Sequence, residues 1–400
     1  MASVVTTAAT VGMAVGPAGA PPTRVRDIGL TSVRVRSSAQ HAGAALSRPQ
    51  PPSKDDVGGD DLASRGLVVS RQPHVRPLPR VPASAYVIAD AGTGDVLAAR
   101  DAHGLYPPAS TLKVLTAITM LPRLDPSAMV LATKRAASVE PNIVGLIAGH
   151  RYKVSDLFRA LLMISANDAA VALVQASGSF TRGMALLNAE AHHLQAYDVV
   201  ARQPNGLPAR GQVVSAYDLA LIARQALSMP AFMTYDSTLT ATFPVRRHEK
   251  VPMLNQDYLL TRYRGGIGGK IGWTTRAEAT YIGLARRHGV TLIVTILHAT
   301  PLTEIASAER LLDWGFAMSG KVRPVGVLVP PLSAPPASST ASSTAKVGAV
   351  RAASRSRSSA SPLASGGTYT LAAGVCILLL ASLAWLRRRH RASSGDVKSS

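Results

Sequence analysis

The chain has 400 residues, a net charge of +20 and only 4% aromatic residues. Residues 84–331 hold twenty-four basic and seventeen acidic side chains, so the flanking segments carry most of the excess positive charge. Because no basic stripe is interleaved with aromatic residues, we expect no nucleic-acid partner. The single cysteine, Cys376, lies outside residues 84–331, which excludes thiol catalysis, disulfides and cysteine-ligated zinc there. No His-Glu-x-x-His spacing occurs, so the sequence predicts neither a metal nor a cofactor.

The first 83 residues lack the periodicity of a folded domain. Residues 1–20 are small and apolar and end in Ala18-Gly19-Ala20, which resembles a signal-peptide cleavage site, although no charged n-region precedes it. Residues 21–83 are rich in Pro, Arg, Ser and Asp, and we predict a disordered linker there. The folded domain is therefore predicted to begin at Ser84 and to cover residues 84–331.

A hydroxyl and an amine stand three residues apart near the start of an apolar helix. Pro107 and Pro108 close the preceding loop, and residues 111–121 contain no helix breaker. Because positions i and i+3 share a helix face, Ser110 and Lys113 can come within hydrogen-bond reach. Burial favours the neutral form of a lysine, which then acts as a base towards a neighbouring serine.

That spacing alone is a weak signal, because Ser343 and Lys346 repeat it inside a low-complexity segment. Two further motifs follow the first. Ser165-Ala166-Asn167 lies in residues 154–175, where apolar residues recur at helical spacing, and Lys270-Ile271-Gly272 opens a β-like run.

Strand patterns occur at both ends of residues 84–331, with helical patterns between them. Two apolar runs flank a glycine-containing turn near the start, and three β-like runs and an amphipathic helix lie near the end. These segments are residues 85–89, 96–99, 270–275, 280–286, 291–297 and, for the helix, 303–317. We predict a mixed α/β (α+β) fold: an antiparallel sheet built from both ends of the domain, with a helical subdomain inserted.

The last 69 residues change character twice. Residues 332–368 are rich in Ser, Ala, Thr and Pro and predict a flexible linker. Residues 369–386 contain no charge and predict a single transmembrane helix, and the basic residues of 387–400 predict a cytoplasmic tail. The catalytic part is then expected on the extracytoplasmic side of a cell membrane.

The three motifs in this order resemble those of penicillin-binding proteins and serine β-lactamases. Two further stretches, Pro204-Asn205-Gly206-Leu207 and Leu311-Leu312-Asp313-Trp314-Gly315-Phe316, narrow the resemblance. They are similar to segments of low-molecular-mass penicillin-binding proteins, the serine D-alanyl-D-alanine carboxypeptidases. The resemblance implies a β-lactamase/transpeptidase-like fold, peptidoglycan stem peptides as substrate and β-lactams as covalent inhibitors.

The resemblance also implies a role for each motif residue. Ser110 corresponds to the acylated nucleophile, Lys113 to its base and Ser165 to the proton relay. The backbone N–H groups of Ser110 and Trp273 correspond to an oxyanion hole. The residues expected to bind substrate are Asn167, Lys270, Gly272, Trp273 and Thr275.

One position departs from the family pattern. Ile271 stands where the family has a hydroxyl residue, usually Thr, that helps to hold the substrate carboxylate. If the strand continues, Thr275 shares its face and can compensate, because side chains alternate along a strand. Two alternatives stay open: a catalytically impaired protein that binds the cell envelope, and a serine β-lactamase. The second lacks support, because only Glu190 stands between Asn167 and Glu249, in no recognisable loop pattern for positioning water.

Overall fold

The computed structural model describes residues 57–333 except 71, 74 and 247. The signal-like segment, the predicted linker 332–368 beyond residue 333, the predicted transmembrane helix 369–386 and the tail 387–400 lie outside these residues. Within the described ranges, no helix is both long and apolar enough to cross a membrane.

The described strands and helices include the segments that the sequence patterns predict and several that they do not. The strands are β1 (Leu67–Val69), β2 (Ala83–Asp90), β3 (Asp95–Arg100), β4 (Met129–Leu131), β5 (Arg151–Lys153), β6 (Thr240–Arg246), β7 (Glu249–Leu254), β8 (Gly266–Thr274), β9 (Glu278–Arg287), β10 (Val290–Ala299) and β11 (Gly326–Val327). The helices are α1 (Leu112–Met120), α2 (Lys134–Ala137), α3 (Val154–Met163), α4 (Asn167–Ala176), α5 (Phe180–His193), α6 (Ala216–Leu227), α7 (Pro230–Asp236), α8 (Leu259–Arg262) and α9 (Glu304–Met318).

The central sheet joins the two ends of the domain. Its strand order is β1-β3-β2-β10-β9-β8, with β11 also pairing with β3, and every pairing is antiparallel. Strand β10 lies between β2 from the start and β9 from the end; Val294 pairs with both Ile88 and Gly283. The predicted antiparallel sheet, the hairpin β2–β3 and the closing helix α9 are confirmed.

Side chains alternate between the two faces of each strand, and helices cover both faces of the sheet. On β10, Leu292, Val294 and Ile296 belong to an apolar cluster with α9, which we call the α9-side cluster. Ile293 and Leu297 belong instead to the larger cluster with the helices on the other face. Each fully buried side chain of this kind stabilises the fold by about 1.5–3 kcal/mol. The face covered by the larger cluster is the one that carries α1, the helix that follows Ser110.

The predicted disordered linker 21–83 is wrong from residue 57 onwards. A 3-10 helix, Asp60–Ala63, buries Leu62, and β1 pairs with β3 as an additional strand. Farther along, the Trp314 Nε1–H of α9 donates to the Arg76 carbonyl at 2.8 Å. The segment has no periodicity from which structure could be predicted. Contacts with residues far along the chain order it. The folded domain therefore starts before Ser84.

The helical pattern over residues 154–175 is interrupted where the second motif lies. Helix α3 ends at Met163 and α4 begins at Asn167, with Ser165 between them at φ 61°. This left-handed conformation is uncommon for a residue other than glycine, and such strain is concentrated at functional sites. The break presents Ser165 on a loop. The helical region also contains the two-stranded antiparallel sheet β4–β5, which the pattern did not predict.

Candidate active site

Ser110 lies in the turn that leads into the buried helix α1. The short 3-10 helix Ala109–Thr111 precedes α1, so Ser110 stands just outside the predicted helix 111–121. Ala109 has φ 47°, which turns the chain sharply before the nucleophile position. Thr111 closes the turn by donating its hydroxyl to the Pro108 carbonyl at 2.6 Å. Although α1 begins at Leu112 and not at residue 111, Ser110 and Lys113 still come together as their i, i+3 spacing predicts.

Lys113 is fully buried, and its Nζ has three oxygen neighbours. They are Ser110 Oγ at 2.7 Å, Asn167 Oδ1 at 2.7 Å and the Asn205 carbonyl at 2.6 Å. The last two atoms can only accept hydrogen bonds. A neutral Lys113 amine therefore donates both of its hydrogens to the two asparagines, and its lone pair points to the Ser110 hydroxyl.

The surroundings of Lys113 favour that neutral form. Burial lowers the pKa of Lys113 well below its ordinary value, and the nearby Lys270 lowers it further. Asp168 acts in the opposite direction and raises this pKa, as the weakest of the three causes. Lys113 thus sits where a general base for Ser110 is needed.

Asn167 connects the second motif to Lys113. Its Nδ2 donates to the Glu140 carbonyl at 2.9 Å, and its backbone N–H donates to the Asn142 carbonyl at 2.7 Å. These contacts fix the side-chain amide with Oδ1 towards Lys113. Ser165 Oγ is buried and has no hydrogen-bond partner among the described residues, so its hydroxyl is free to bind substrate or pass on a proton.

Asp168, next to Asn167, has a structural role. Its carboxylate accepts from the backbone N–H groups of Val144, Gly145 and Leu146 at 3.0, 2.8 and 2.9 Å. These bonds hold the loop before β5 against the start of α4. No reaction step needs a carboxylate at this position.

Strand β8 brings the third motif to the nucleophile. A Cβ on Gly272 would lie 2.7 Å from the Ser110 nitrogen and 3.1 Å from the Ala109 Cβ, so only glycine permits this approach. Lys270 is buried, and its Nζ donates to the Ile271 carbonyl at 2.9 Å. Burial lowers the pKa of Lys270 to about 8, while Asp236 and then Asp257 raise it.

The other third-motif residues lie elsewhere. Ile271 is partly buried and packs against the α9-side cluster, on the opposite face of β8 from Lys270. Trp273 is 60% exposed. Strand β8 ends at Thr274, whose Oγ1 accepts from the Ala277 N–H at 3.0 Å, so Thr275 lies in an exposed turn. The strand alternation that was expected to place Thr275 beside Ile271 is therefore wrong.

Sequence reasoning missed four residues around the site. The Asn205 carbonyl is a backbone atom with no side-chain signature, although its segment carries part of the resemblance. Gly206 has φ 81°, and a Cβ there would overlap the Ala109 carbonyl at 1.7 Å, so glycine is required beside Ser110. Asp236 and Asp257 are buried near Lys270, but no motif marks them.

One group in the described part of the chain has the composition of a metal site. His103, Asp198 and Asp218 offer ligand atoms within 4.8 Å of one another. However, His103 Nδ1 is 2.8 Å from Asp198 Oδ2, and its Nε2 is 3.2 Å from the Val57 carbonyl. Both ring nitrogens are thus engaged with protein, and the group shares no residue with the Ser110 site.

Comparisons with known proteins agree with this geometry. A family model described as D-alanyl-D-alanine carboxypeptidase matches residues 71–301. The chain is 38% identical over 249 residues to D-alanyl-D-alanine carboxypeptidase DacB2 of Mycobacterium tuberculosis, covering 61% of this chain and 85% of the relative. It is 26% identical over 242 residues to DacF of Bacillus subtilis, covering 59% of this chain and 62% of that protein.

Solved structures show the same fold. A D-alanyl-D-alanine carboxypeptidase from Mycobacterium tuberculosis H37Rv matches with a TM-score of 0.61 and 35% identity, over 66% of this chain and 100% of that one. A point variant of the Streptomyces K15 DD-transpeptidase matches with a TM-score of 0.56 and 25% identity, over 60% of this chain and 99% of that one.

Proposed function

The chain belongs to the D-alanyl-D-alanine carboxypeptidase family, and on this basis we propose that it removes the terminal D-alanine from peptidoglycan stem peptides through a serine acyl-enzyme. One observation carries the proposal: Lys113 Nζ lies 2.7 Å from Ser110 Oγ while two acceptor-only oxygens take its hydrogens. A buried amine held in this way is a base aimed at one hydroxyl.

The first step is acylation of Ser110. Its Oγ attacks the carbonyl carbon of the penultimate D-alanine, and the hydroxyl proton moves to Lys113 Nζ. The C–N bond then breaks, and the departing amine takes a proton through the Ser165 hydroxyl. The backbone N–H groups of Ser110 and Trp273 are proposed to bind the oxyanion, and each such donor stabilises the transition state by about 3 kcal/mol.

The substrate is held at both ends of the scissile bond. Lys270 is cationic at neutral pH and supplies the charge that attracts the terminal carboxylate of the substrate. Asn167 binds a backbone amide of the donor peptide, and Gly272 leaves room for it along β8. Water then hydrolyses the acyl-enzyme, and Lys113 again serves as the base.

β-Lactams are proposed to acylate the same serine. Their ring amide presents a carbonyl to Ser110, and their carboxylate resembles that of the substrate. A serine β-lactamase would release the product rapidly, whereas a carboxypeptidase keeps a stable adduct. The partners of Lys113 Nζ are Ser110, Asn167 and Asn205, none of which is a glutamate that positions a deacylating water, and this favours the carboxypeptidase.

We also propose that the protein is anchored in the cell membrane by residues 369–386, with the catalytic domain outside. The support comes from sequence: an uncharged apolar run followed by Arg387-Arg388-Arg389-His390-Arg391. Fractionating cells that express the full chain, with a truncation at residue 368 alongside, tests the anchor. Recovery of both forms in the membrane fraction would contradict it.

Intact-mass spectrometry after incubation with a penicillin tests the nucleophile. The expected result is a stable adduct on the wild type and none on Ser110→Ala, together with D-alanine release from a D-Ala-D-Ala peptide by the wild type only. Ser127→Ala, an exposed serine, is the matched control and keeps both activities. A folded wild type that forms no adduct and releases no D-alanine would overturn the proposal.

A further inference from the structure

Two threonine hydroxyls meet on one backbone carbonyl beside the nucleophile. Thr111 Oγ1 donates to the Pro108 carbonyl at 2.6 Å, and Thr280 Oγ1 donates to the same oxygen at 2.9 Å. Both threonines are fully buried. A carbonyl oxygen has two lone pairs, so the two hydroxyls occupy both. The Pro108 carbonyl is therefore held from two sides, by its own turn and by strand β9, 172 positions farther along the chain.

Thr280 lies where strand β8 meets the nucleophile turn. It pairs with Gly272 across the two antiparallel strands β8 and β9. A Cβ added to Gly272 would lie 2.5 Å from Thr280 Oγ1 and 2.7 Å from the Ser110 nitrogen. The threonine hydroxyl, the Ser110 N–H group and the backbone of β8 thus converge on one point. From this position Thr280 fixes the turn against the strand.

The turn before Ser110 needs such support, because its backbone is strained. Ala109 has φ 47°, a left-handed conformation that is costly for a residue other than glycine and persists only where the surroundings determine it. The Leu112 backbone N–H donates to the Ala109 carbonyl, at one end of the peptide plane that joins Ala109 to Ser110. The Ser110 N–H group is at the other end. The orientation of this plane depends on the preceding peptide, whose carbonyl is that of Pro108.

We propose that Thr280 is a positioning residue for the oxyanion hole. Its hydroxyl holds the Pro108 carbonyl and thereby keeps the Ser110 N–H group at a fixed distance from the Trp273 N–H group on β8. The inference rests on the proposed function and deepens it, because a displaced donor stabilises the oxyanion less. Since Thr280 is fully buried, it acts on the reaction only through this alignment.

The chain supplies a matched control for an effect on stability alone. Thr295 on the neighbouring strand β10 is also fully buried, and its hydroxyl donates to the Ala216 carbonyl at 2.7 Å. No residue of β10 belongs to the Ser110 site. Thr280→Val and Thr295→Val each replace a buried hydroxyl by a methyl group and keep a β-branched side chain that suits a strand. If the Thr280 hydroxyl only stabilises the fold, the two variants behave alike.

The first-order rate constant of acylation at saturating penicillin tests the alignment. Thr280→Val is expected to slow acylation roughly 5- to 30-fold, less than the roughly 10²- to 10³-fold cost of deleting a donor, because the Ser110 N–H is displaced and not removed. The penicillin concentration at half-saturation should change by less than about 2-fold, because the hole binds the transition state more strongly than the ground state. Thr280→Ser keeps a hydroxyl and should recover most of the rate.

The control variant is expected to separate rate from stability. Thr295→Val should lower the melting temperature about as much as Thr280→Val does, because each loses one buried hydrogen bond, and it should acylate at the wild-type rate. Thr111→Val removes the other hydroxyl from the Pro108 carbonyl and should slow acylation in the same direction as Thr280→Val.

A boronic acid gives a second measurement of the oxyanion hole. Its boron bonds to Ser110 Oγ, the serine proton passes to Lys113, and the tetrahedral, anionic boron places one hydroxyl in the hole. Such an adduct resembles the transition state. Its inhibition constant should therefore rise in Thr280→Val by about the factor by which acylation slows, and stay at the wild-type value in Thr295→Val.

Three outcomes overturn the inference while leaving the activity intact. They are acylation by Thr280→Val at the wild-type rate, equal slowing in Thr280→Val and Thr295→Val, and a Thr280→Ser variant as slow as Thr280→Val. If Thr280→Val does not fold, Thr111→Val decides by the same comparison with Thr295→Val. A folded wild type that forms no penicillin adduct and releases no D-alanine refutes the proposed function, and the inference with it.

Discussion

The two buried lysines of the site show how different neighbours tune one type of side chain. Lys113 is surrounded by neutral oxygens, those of Ser110, Asn167 and Asn205. Lys270 is also buried, but the carboxyl groups of Asp236 and Asp257 raise its pKa against the effect of burial. Burial is the largest cause of the lowered pKa at both lysines. The difference between the two lysines therefore comes from their neighbours.

The two lysines are therefore suited to different roles. The pKa of Lys113 is lowered by burial and by the Lys270 cation, so Lys113 is poised as a base. The pKa of Lys270 is about 8, so it remains an ammonium at neutral pH and suits a carboxylate. Each cation raises the cost of protonating the other, and the carboxyl pair beside Lys270 decides which lysine keeps its proton.

The largest expected effect is the loss of the base. Lys113→Met keeps an apolar side chain of similar length in the buried position, and we expect penicillin acylation to slow about 10²- to 10⁴-fold, the range for a general base. Stopped-flow or intact-mass kinetics measure this rate. The exposed Lys134→Met is the control, and acylation by Lys113→Met at the wild-type rate would show that another group activates Ser110.

Removing the second lysine is expected to act on binding more than on chemistry. Lys270→Met deletes a charged contact of about 1.5–3 kcal/mol to the substrate carboxylate, so KM for a D-Ala-D-Ala peptide should rise roughly 10- to 100-fold. Steady-state kinetics against a peptide amide, which lacks the carboxylate, provide the comparison. If KM for both peptides rises equally, Lys270 does not recognise the carboxylate.

The pH dependence of kcat/KM is expected to reveal the effect of Asp236 and Asp257 on Lys270. Below about pH 8 Lys270 is protonated, and above it the charge is lost, so kcat/KM for the peptide should fall on the alkaline side of about pH 8. The double change Asp236→Asn with Asp257→Asn removes negative charge, which makes the ammonium less favourable, lowers the pKa of Lys270 and moves this limb to lower pH. Asp198→Asn with Asp218→Asn, a second buried pair, leaves the limb unchanged.

The smallest effect is expected at the position that departs from the family. Ile271 packs against the α9-side cluster, away from Lys270, so we expect Ile271→Thr to change kcat/KM less than 3-fold. Losing buried apolar contact should lower the free energy of unfolding by about 1 kcal/mol, which thermal melting measures. A tenfold fall in KM would instead establish that the missing hydroxyl limits carboxylate binding.

Local patterns in the sequence were sufficient for the elements that carry the motifs. The apolar runs that form β2, β9 and β10 and the spacing of Ser110 and Lys113 depend on nearby residues, and the structure confirms them. The order of the three motifs gave the family. The catalytic and binding roles of the individual residues stay predictions, because the geometry brings groups together without showing a reaction.

Tertiary structure alone decided the remainder. The Asn205 carbonyl reaches Lys113 across 92 positions of sequence, and a backbone oxygen has no residue-type signature. The charge state of Lys270 depends on Asp236 and Asp257, whose burial follows from the packing of α7 and the loop before α8 against β8. Residues 57–69 are ordered by long-range pairing. Sequence fixes which groups are present, but desolvation and long-range contacts determine what they can do.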